Sequence, residues 1–197
     1  PEEDPAKTTK RFHVALASLR KTLEPEIPRG TSSSYISRDK DSYTIDVGEK
    51  GWVDIESFLQ ELNLARQEED LEKSIAHYLK AESIYQGDFL EEDLYSEWTL
   101  EARENFRNEY LQLLRDIIEY YDGQKDHKKC IDYGQKYLKV DKYAEDIYQL
   151  LMTYYSQVGN KAMVTRTYKR CKDTLLKELD CPLSKETQSL YQKLISI

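Results

Sequence analysis

The residues of this chain whose chemistry could define a function are the lysines and arginines near its beginning. Between positions 6 and 30, six basic residues stand against two acidic ones, Glu24 and Glu26. The basic residues are Lys7, Lys10, Arg11, Arg20, Lys21 and Arg29. Such a local excess attracts anions, above all phosphate groups. Residues 51–197 instead hold 20 Lys and Arg against 28 Asp and Glu. Any contact with nucleic acid is therefore expected from the first part of the chain.

Groups that often catalyse reactions or bind metals are present but scattered. The histidines and cysteines lack the spacing of metal ligands or of a catalytic pair. They are His13, His77, His127, Cys130, Cys171 and Cys181. The acidic runs at 68–70 and 91–93 suit solvated loops and helix starts, and no glycine-rich phosphate loop is present. The sequence predicts no enzyme, no cofactor and no metal; an enzyme with a helical accessory domain would need a catalytic segment outside this sequence.

The basic residues near the beginning are predicted to lie on one helix and one β-hairpin. Thr8 or Thr9 could cap a helix that ends near Leu23, before Glu24-Pro25. Phe12, Leu16, Leu19 and Leu23 form its apolar stripe. Alternating β-formers at 35–38 and 43–47 flank the polar turn 39–42, which is typical of a hairpin.

From position 52 onward the sequence predicts helices, and one helix-turn-helix pattern occurs twice. Cys130 corresponds to Val164, 34 positions later. Ile117 and Leu151, Tyr120 and Tyr154, Tyr121 and Tyr155, and Tyr137 and Cys171 correspond at the same offset. A period of 34 residues with two helices per unit is the tetratricopeptide spacing. Since one unit cannot cover its apolar face alone, we expect a stack of helices.

Such a stack predicts a groove for a protein partner. If the repeats begin near Leu111 and Glu145, six polar side chains point inward. These are Gln112, Arg115, Glu119, Asp146, Gln149 and Thr153. Their mixed charge suits a peptide or a partner helix. The alternative is an ordinary solvated face.

Composition agrees with a mainly α-helical protein. The chain has 197 residues with only 7 Gly and 5 Pro, 34% charged residues and 16 Tyr. No apolar run approaches the roughly 20 residues of a membrane span, and no signal peptide is present. We therefore expect a cytoplasmic protein without membrane contact. Cys130 and Cys171 occupy packing positions of the repeat.

Several segments between about Trp52 and Leu194 carry a family likeness. They are Trp52–Phe58, Tyr85–Leu90, Glu97-Trp98, Tyr148–Tyr154, Tyr168–Cys171, Leu175–Leu179, Pro182–Ser184 and Glu186-Thr187. These segments resemble the bacterial transcriptional activator domain, the tetratricopeptide-like part of Streptomyces antibiotic regulatory protein-type regulators. In that family the domain follows an OmpR/PhoB-type winged helix. The resemblance thus divides the chain into residues 1–48, the C-terminal part of a winged helix, and residues 52–197, the helical domain.

The segment 12–25 looks like the DNA-recognition helix of that winged helix, and 35–47 looks like its wing. The residues that the resemblance implies in DNA binding are Thr9, Lys10, Arg11, His13, Arg20, Lys21, Arg38 and Lys40. Ala17 and Ser18 stand where family members often carry DNA-facing arginines, the usual readers of guanine.

The function implied is a fragment of a bacterial transcriptional regulator, which binds DNA through the winged helix. Its stack would contact RNA polymerase or another copy of itself. The alternative is a protein-interaction scaffold whose winged-helix remnant no longer binds DNA. The short joint from Gly48 to the large Trp52 predicts that the Trp52 side chain is buried.

Overall fold

In the computed structural model, the residues described are 5–28, 30–40, 42–48, 51–92 and 96–196. They fall into two compact units, and the boundary along the chain lies between Val53 and Asp54. The first unit holds α1 (Pro5–Leu23), β1 (Ile36–Asp39) and β2 (Ser42–Ile45). The second holds α2 (Asp54–Gln67), α3 (Leu71–Ile84), α4 (Glu97–Gly123), α5 (His127–Val140), α6 (Glu145–Gln157), α7 (Lys161–Leu179) and α8 (Lys185–Ser196). The predicted mainly α-helical class is confirmed.

The first unit is a helix beside a two-stranded antiparallel hairpin. The helix begins at Pro5, so the prediction of a cap at Thr8 or Thr9 is wrong. Proline suits a first helical turn, where the missing N–H would have had no partner. In the hairpin, Ile36 pairs with Ile45. The Phe12 ring lies 5.2 Å from the Tyr43 ring, which brings helix and hairpin into contact.

The apolar stripe of α1 is only partly covered. Leu16 is buried, whereas Phe12, Leu19 and Leu23 are 47%, 36% and 40% exposed. The predicted stripe exists, but three of its four residues keep more than a third of their surface in contact with solvent. Trp52, in the segment before α2, is 68% exposed. The prediction of a buried Trp52 is therefore wrong. Arg29, Asp41, Glu49, Lys50 and Asp93 lie outside the described residues.

Polar side chains define where three helices of the second unit begin. Asp70 accepts a hydrogen bond from the N–H of Glu72 before α3, and Asp126 accepts from that of Lys129 before α5. Asn160 accepts from the N–H of Met163 at the start of α7. Each cap satisfies a backbone donor that has no partner within its helix.

In the second unit each helix packs against its neighbours in the chain, and α8 also packs on α6. The side chains buried most completely come from several helices. They include Leu62, Leu113, Leu114, Ile117, Leu138, Ile147, Tyr148, Met152 and Val164. No helix pair covers these residues alone, so the core is continuous from pair to pair.

The duplicated pattern is visible in the burial. Cys130 and Val164 are both fully buried, as are the equivalent Ile117 and Leu151 to within a few per cent. Burial raises the pKa of the Cys130 thiol to about 11 and that of the Cys171 thiol to about 12. Both thiols are therefore protonated packing groups, as predicted from their place in the repeat.

Gly134 of α5 faces α6 at short distance. A Cβ atom at this position would lie 2.8 Å from Cδ2 of Leu151 in α6, a side chain that is only 3% exposed. The missing side chain of Gly134 lets α5 approach α6 closely.

Replacing Gly134 with Ala should therefore destabilise the protein by about 1 kcal/mol, measured by urea denaturation. Overpacking a core costs about 1–3 kcal/mol, which exceeds the gain of about 0.5–1 kcal/mol from removing a helical glycine. Gly123→Ala is the control, because nothing lies within 4 Å of its added Cβ. An equal or higher stability of Gly134→Ala than of Gly123→Ala would contradict this account.

Glu61 of α2 is a buried carboxylate, 6% exposed, that joins α2 to α3. Its oxygens lie 2.7 Å from Nδ1 of His77 and 2.6 Å from Nζ of Lys80. Desolvation acts to raise the pKa of Glu61, but the two hydrogen bonds and charges outweigh it, so the pKa lies below its ordinary 4.5. Folding thus favours the charged form of this carboxylate.

Because the folded pKa is depressed, the contribution of Glu61 to stability is present above about pH 4.5 and is lost as the pH falls through the folded pKa. Glu61→Gln should lower the free energy of unfolding by about 1–3 kcal/mol at neutral pH. The difference from the native chain should shrink on acidification. Glu69→Gln, at an exposed position, is the control. A pH-independent difference would contradict the role given to Glu61.

Candidate nucleic-acid and partner surfaces

The predicted DNA-binding residues of α1 lie on a solvent-exposed surface, with one exception. Thr9, Lys10, Arg11, His13 and Lys21 are exposed. One side of the helix carries Lys10, His13 and Lys21, because their positions differ by three and then by eight, which is close to whole turns of an α-helix. Arg20 is half-buried, and its Nε atom is shielded from solvent. Lysine and histidine side chains on this face are thus placed to meet an anion.

Glu24 and two serines fix the end of α1 against the loop that follows it. The Glu24 carboxylate accepts from the Ser33 hydroxyl and, at 3.0 Å, from the N–H of Ser34. These hydrogen bonds lower the pKa of Glu24, with the Ser33 bond the largest cause. The Ser33 hydroxyl oxygen also accepts from the N–H of Ile36, where β1 begins. The carboxylate therefore ties the helix to the hairpin.

At the tip of the hairpin, the two predicted basic residues behave differently. Nε of Arg38 donates to the carbonyl of Lys40 at 2.8 Å, and its guanidinium lies 5.5 Å from the centre of the Tyr43 ring. Arg38 therefore supports the turn. Lys40 has a φ of 52°, which fixes the turn, and its side chain is exposed.

Two of the six residues predicted to line a groove meet across the stack. Nη1 of Arg115 in α4 lies 2.6 Å from the Asp146 carboxylate in α6. The same guanidinium donates to the Tyr137 hydroxyl at 3.1 Å and lies 4.8 Å from the centre of that ring. This pair connects equivalent helices of consecutive repeats.

The other four residues of the predicted groove do not contact the Arg115–Asp146 pair through any of the hydrogen bonds described here. Gln112 donates to Asp116 on its own helix, and Thr153 donates to the carbonyl of Gln149. Gln149 donates to the hydroxyl of Thr187 in α8 at 2.7 Å, so it contributes to packing of the last helix. Glu119 is exposed. The structure thus brings Arg115 and Asp146 together, while three of the rest are engaged within the stack.

Two features of the stack were missed in the sequence. The first is Arg103, which is 7% exposed and donates to the carbonyl oxygens of Phe89 and Leu90 at 2.9 and 3.2 Å. Its place on the apolar side of α4, four residues from Thr99, is a signal that could have predicted burial. A buried arginine needs several acceptors, and these two carbonyls belong to the loop after α3.

The second missed feature is an uneven distribution of charge within the stack. α4 carries seven Asp and Glu against three Arg, whereas α7 carries six Lys and Arg against two acidic residues. The net acidity of residues 51–197 therefore does not describe every surface of the stack.

The Arg115–Asp146 pair should contribute little to stability by itself. The two side chains are 36% and 55% exposed, and pairs this exposed are typically worth about 0.2–1 kcal/mol. A double-mutant cycle with Arg115→Ala and Asp146→Ala, followed by urea denaturation, should give a coupling energy in that range. A coupling well above it would show that the pair is a structural element rather than part of an accessible face.

The described residues contain no helix long and apolar enough to cross a membrane. Nor do they contain a group of three or more His, Cys, Asp or Glu side chains that could hold a metal ion.

The arrangement in the second unit is that of a helical repeat protein, with antiparallel helix pairs stacked one on the next. A family profile described as the bacterial transcriptional activator domain matches residues 53–195. The chain belongs to this family, and the resemblance found in the sequence is confirmed for that part. The match begins after the hairpin and does not include α1.

The chain shares its fold with the solved structure of a mycobacterial protein. EmbR of Mycobacterium tuberculosis, solved in complex with a low-affinity phosphopeptide, aligns over 99% of this chain with a TM-score of 0.67 and 16% identity. The chain spans about half of EmbR, 52% of the chain it matches. The C-terminal tetratricopeptide-containing domain of a Plasmodium falciparum FK506-binding protein aligns over 77% of this chain and 95% of its own, with a TM-score of 0.49 and 14% identity. A search of curated proteins gave no significant match.

Proposed function

We propose that this chain is part of a bacterial transcriptional regulator in which α1 and the hairpin contact DNA and the helical stack binds a protein partner. Membership of the bacterial transcriptional activator domain family carries this proposal, because the family match covers the whole stack. The fold shared with EmbR along nearly the full chain agrees with it.

The DNA contact would be made mainly with the phosphate backbone. Lys10 and Lys21 are exposed on α1, and Lys40 is exposed at the hairpin tip. Lysine is a point charge suited to phosphate, and a phosphate contact carries no direct sequence information. Ala17 and Ser18, also exposed on α1, cannot make the bidentate guanine contact of an arginine. Sequence preference would thus have to come from DNA shape or from other parts of the regulator.

The partner of the stack would be RNA polymerase or a second copy of the chain. The face around Arg115 and Asp146 offers both charges within 2.6 Å of each other, next to the exposed Glu119. Such a mixed surface suits a polar protein segment better than a nucleic acid.

DNA binding is tested on the full-length protein that contains this chain, by fluorescence anisotropy with duplex DNA at about 50 and 200 mM salt. Lys10→Ala with Lys21→Ala should weaken binding and reduce the slope of log K against log salt by about 1.8, because each lost phosphate contact accounts for about 0.9. Lys128→Ala with Lys139→Ala removes the same charge from exposed positions of α5 and should leave the slope unchanged.

Absence of DNA binding at the lower salt concentration would contradict the regulator proposal and favour the interaction scaffold. An equal loss in both double variants would show that the contact is not made by α1.

A further inference from the structure

The second unit contains a cavity that none of the surfaces described above uses. Its volume is about 300 Å³, and it lies where α2 begins, where α3 ends and along the loop 85–91. The loop contains Tyr85–Leu90, a Tyr-x-Gly-x-Phe-Leu segment that carries part of the family resemblance. A volume of this size is at the lower end of the range for small-molecule sites.

The walls of the cavity are aromatic and are held in place by other rings. Phe58 is 3% exposed, and its ring lies 5.5 Å from that of Tyr85. Tyr85 is stacked on Tyr110 at 4.0 Å with the rings nearly parallel. On the other side, Phe89 contacts Phe106 edge to face at 5.3 Å. Because these rings pack on one another, the cavity does not depend on a ligand for its shape.

The loop that closes the cavity is fixed by a buried arginine. Arg103 donates to the carbonyl oxygens of Phe89 and Leu90, so its guanidinium is held by the backbone of the loop. Arg107, one turn further along α4, donates to the carbonyl of Val140. No lysine or arginine lines the cavity within the described part of the chain.

Three carboxylates line the cavity together with the rings. They belong to Asp54, Asp88 and Glu91. Asp88 accepts from the Tyr85 hydroxyl at 3.1 Å, which aims the carboxylate at the aromatic wall. Burial raises the pKa of Tyr85, so its phenol remains a neutral donor. The three acids do not converge as metal ligands do, since no such group occurs among the described residues.

We propose that this cavity binds a small organic cation, an amine with an apolar body. The apolar body would be buried against Phe58, Tyr85 and Phe89. An ammonium group close to these rings would also be attracted by their π electrons. The ammonium group would donate to Asp88 or Glu91 in a charge-assisted hydrogen bond. An anion of the same size is disfavoured, because it would enter an acidic cleft whose wall holds no lysine or arginine among the described residues. This site goes beyond the proposed function and does not depend on DNA contact by α1.

Three probes of nearly equal size separate charge from shape: 2-phenylethylamine, 2-phenylethanol and phenylacetate. Binding to the full chain is measured by NMR, from the change in amide chemical shifts on titration. We expect the amine to bind at least about fivefold more tightly than the alcohol, with phenylacetate weakest. The largest shifts should occur at residues 54–58 and 84–91.

The charge preference is tested with the double variant Asp88→Asn, Glu91→Gln, in which the amine should bind no more tightly than the alcohol. Glu92→Gln is the matched control, since Glu92 is exposed, adjacent to Glu91 and absent from the cavity wall. It should retain the preference. Circular dichroism and the melting temperature verify that each variant is folded.

The proposal is overturned if no probe binds up to about 20 mM, a concentration well above the millimolar Kd expected of such small ligands. It is also overturned if amine and alcohol bind equally to the native chain, if phenylacetate binds best, or if the shifts map elsewhere. A loss of preference in Glu92→Gln equal to that in the double variant would show a general charge effect instead of a site.

Discussion

The helical stack depends on the burial of each helix's apolar face by its neighbours. Leu113, Leu114 and Ile117 of α4 are fully buried, yet α5 alone cannot enclose them, and Ile147 of α6 and Val164 of α7 continue the same core. At about 25 cal/mol for each Å² of apolar surface, every buried leucine contributes about 1.5–3 kcal/mol. Removing one helix pair would expose such side chains on the next pair. This shared core holds the other features in position, including the Arg115–Asp146 pair and the cavity beside Phe58.

The polar groups of the stack are mostly engaged in positioning the helices. Glu61 joins α2 to α3 through His77 and Lys80, and Glu145 accepts from the N–H and hydroxyl of Ser184 ahead of α8. Burial works to raise the pKa of Glu145, but its hydrogen bonds to Thr187 and Ser184 lower it. A partly or fully buried carboxylate with several donors is stable in its charged form. Both glutamates therefore hold neighbouring helices together.

The helices of the stack were predictable because their signals are local. A stripe with a 3.6-residue period and a capping Asp or Asn define a helix such as α3, which begins after Asp70. The 34-residue offset then predicts how helices stack. Side-chain contacts between distant segments were not predictable in this way. The buried Arg103, the bond from Gln149 to Thr187 and the exposure of Trp52 depend on which surfaces meet after folding. For the candidate surfaces, the sequence identified the basic residues of α1 but not the half-burial of Arg20 or the turn contact of Arg38.

The hydrogen bonds of Arg103 make the shape of the cavity depend on a residue that does not line it. Its guanidinium donates to the carbonyl oxygens of Phe89 and Leu90, so both acceptors belong to the backbone of the loop. A substitution of Phe89 or Leu90 would keep both acceptors and would alter only the lining of the cavity. The path of the loop and the chemistry of the cleft can therefore vary independently among related chains.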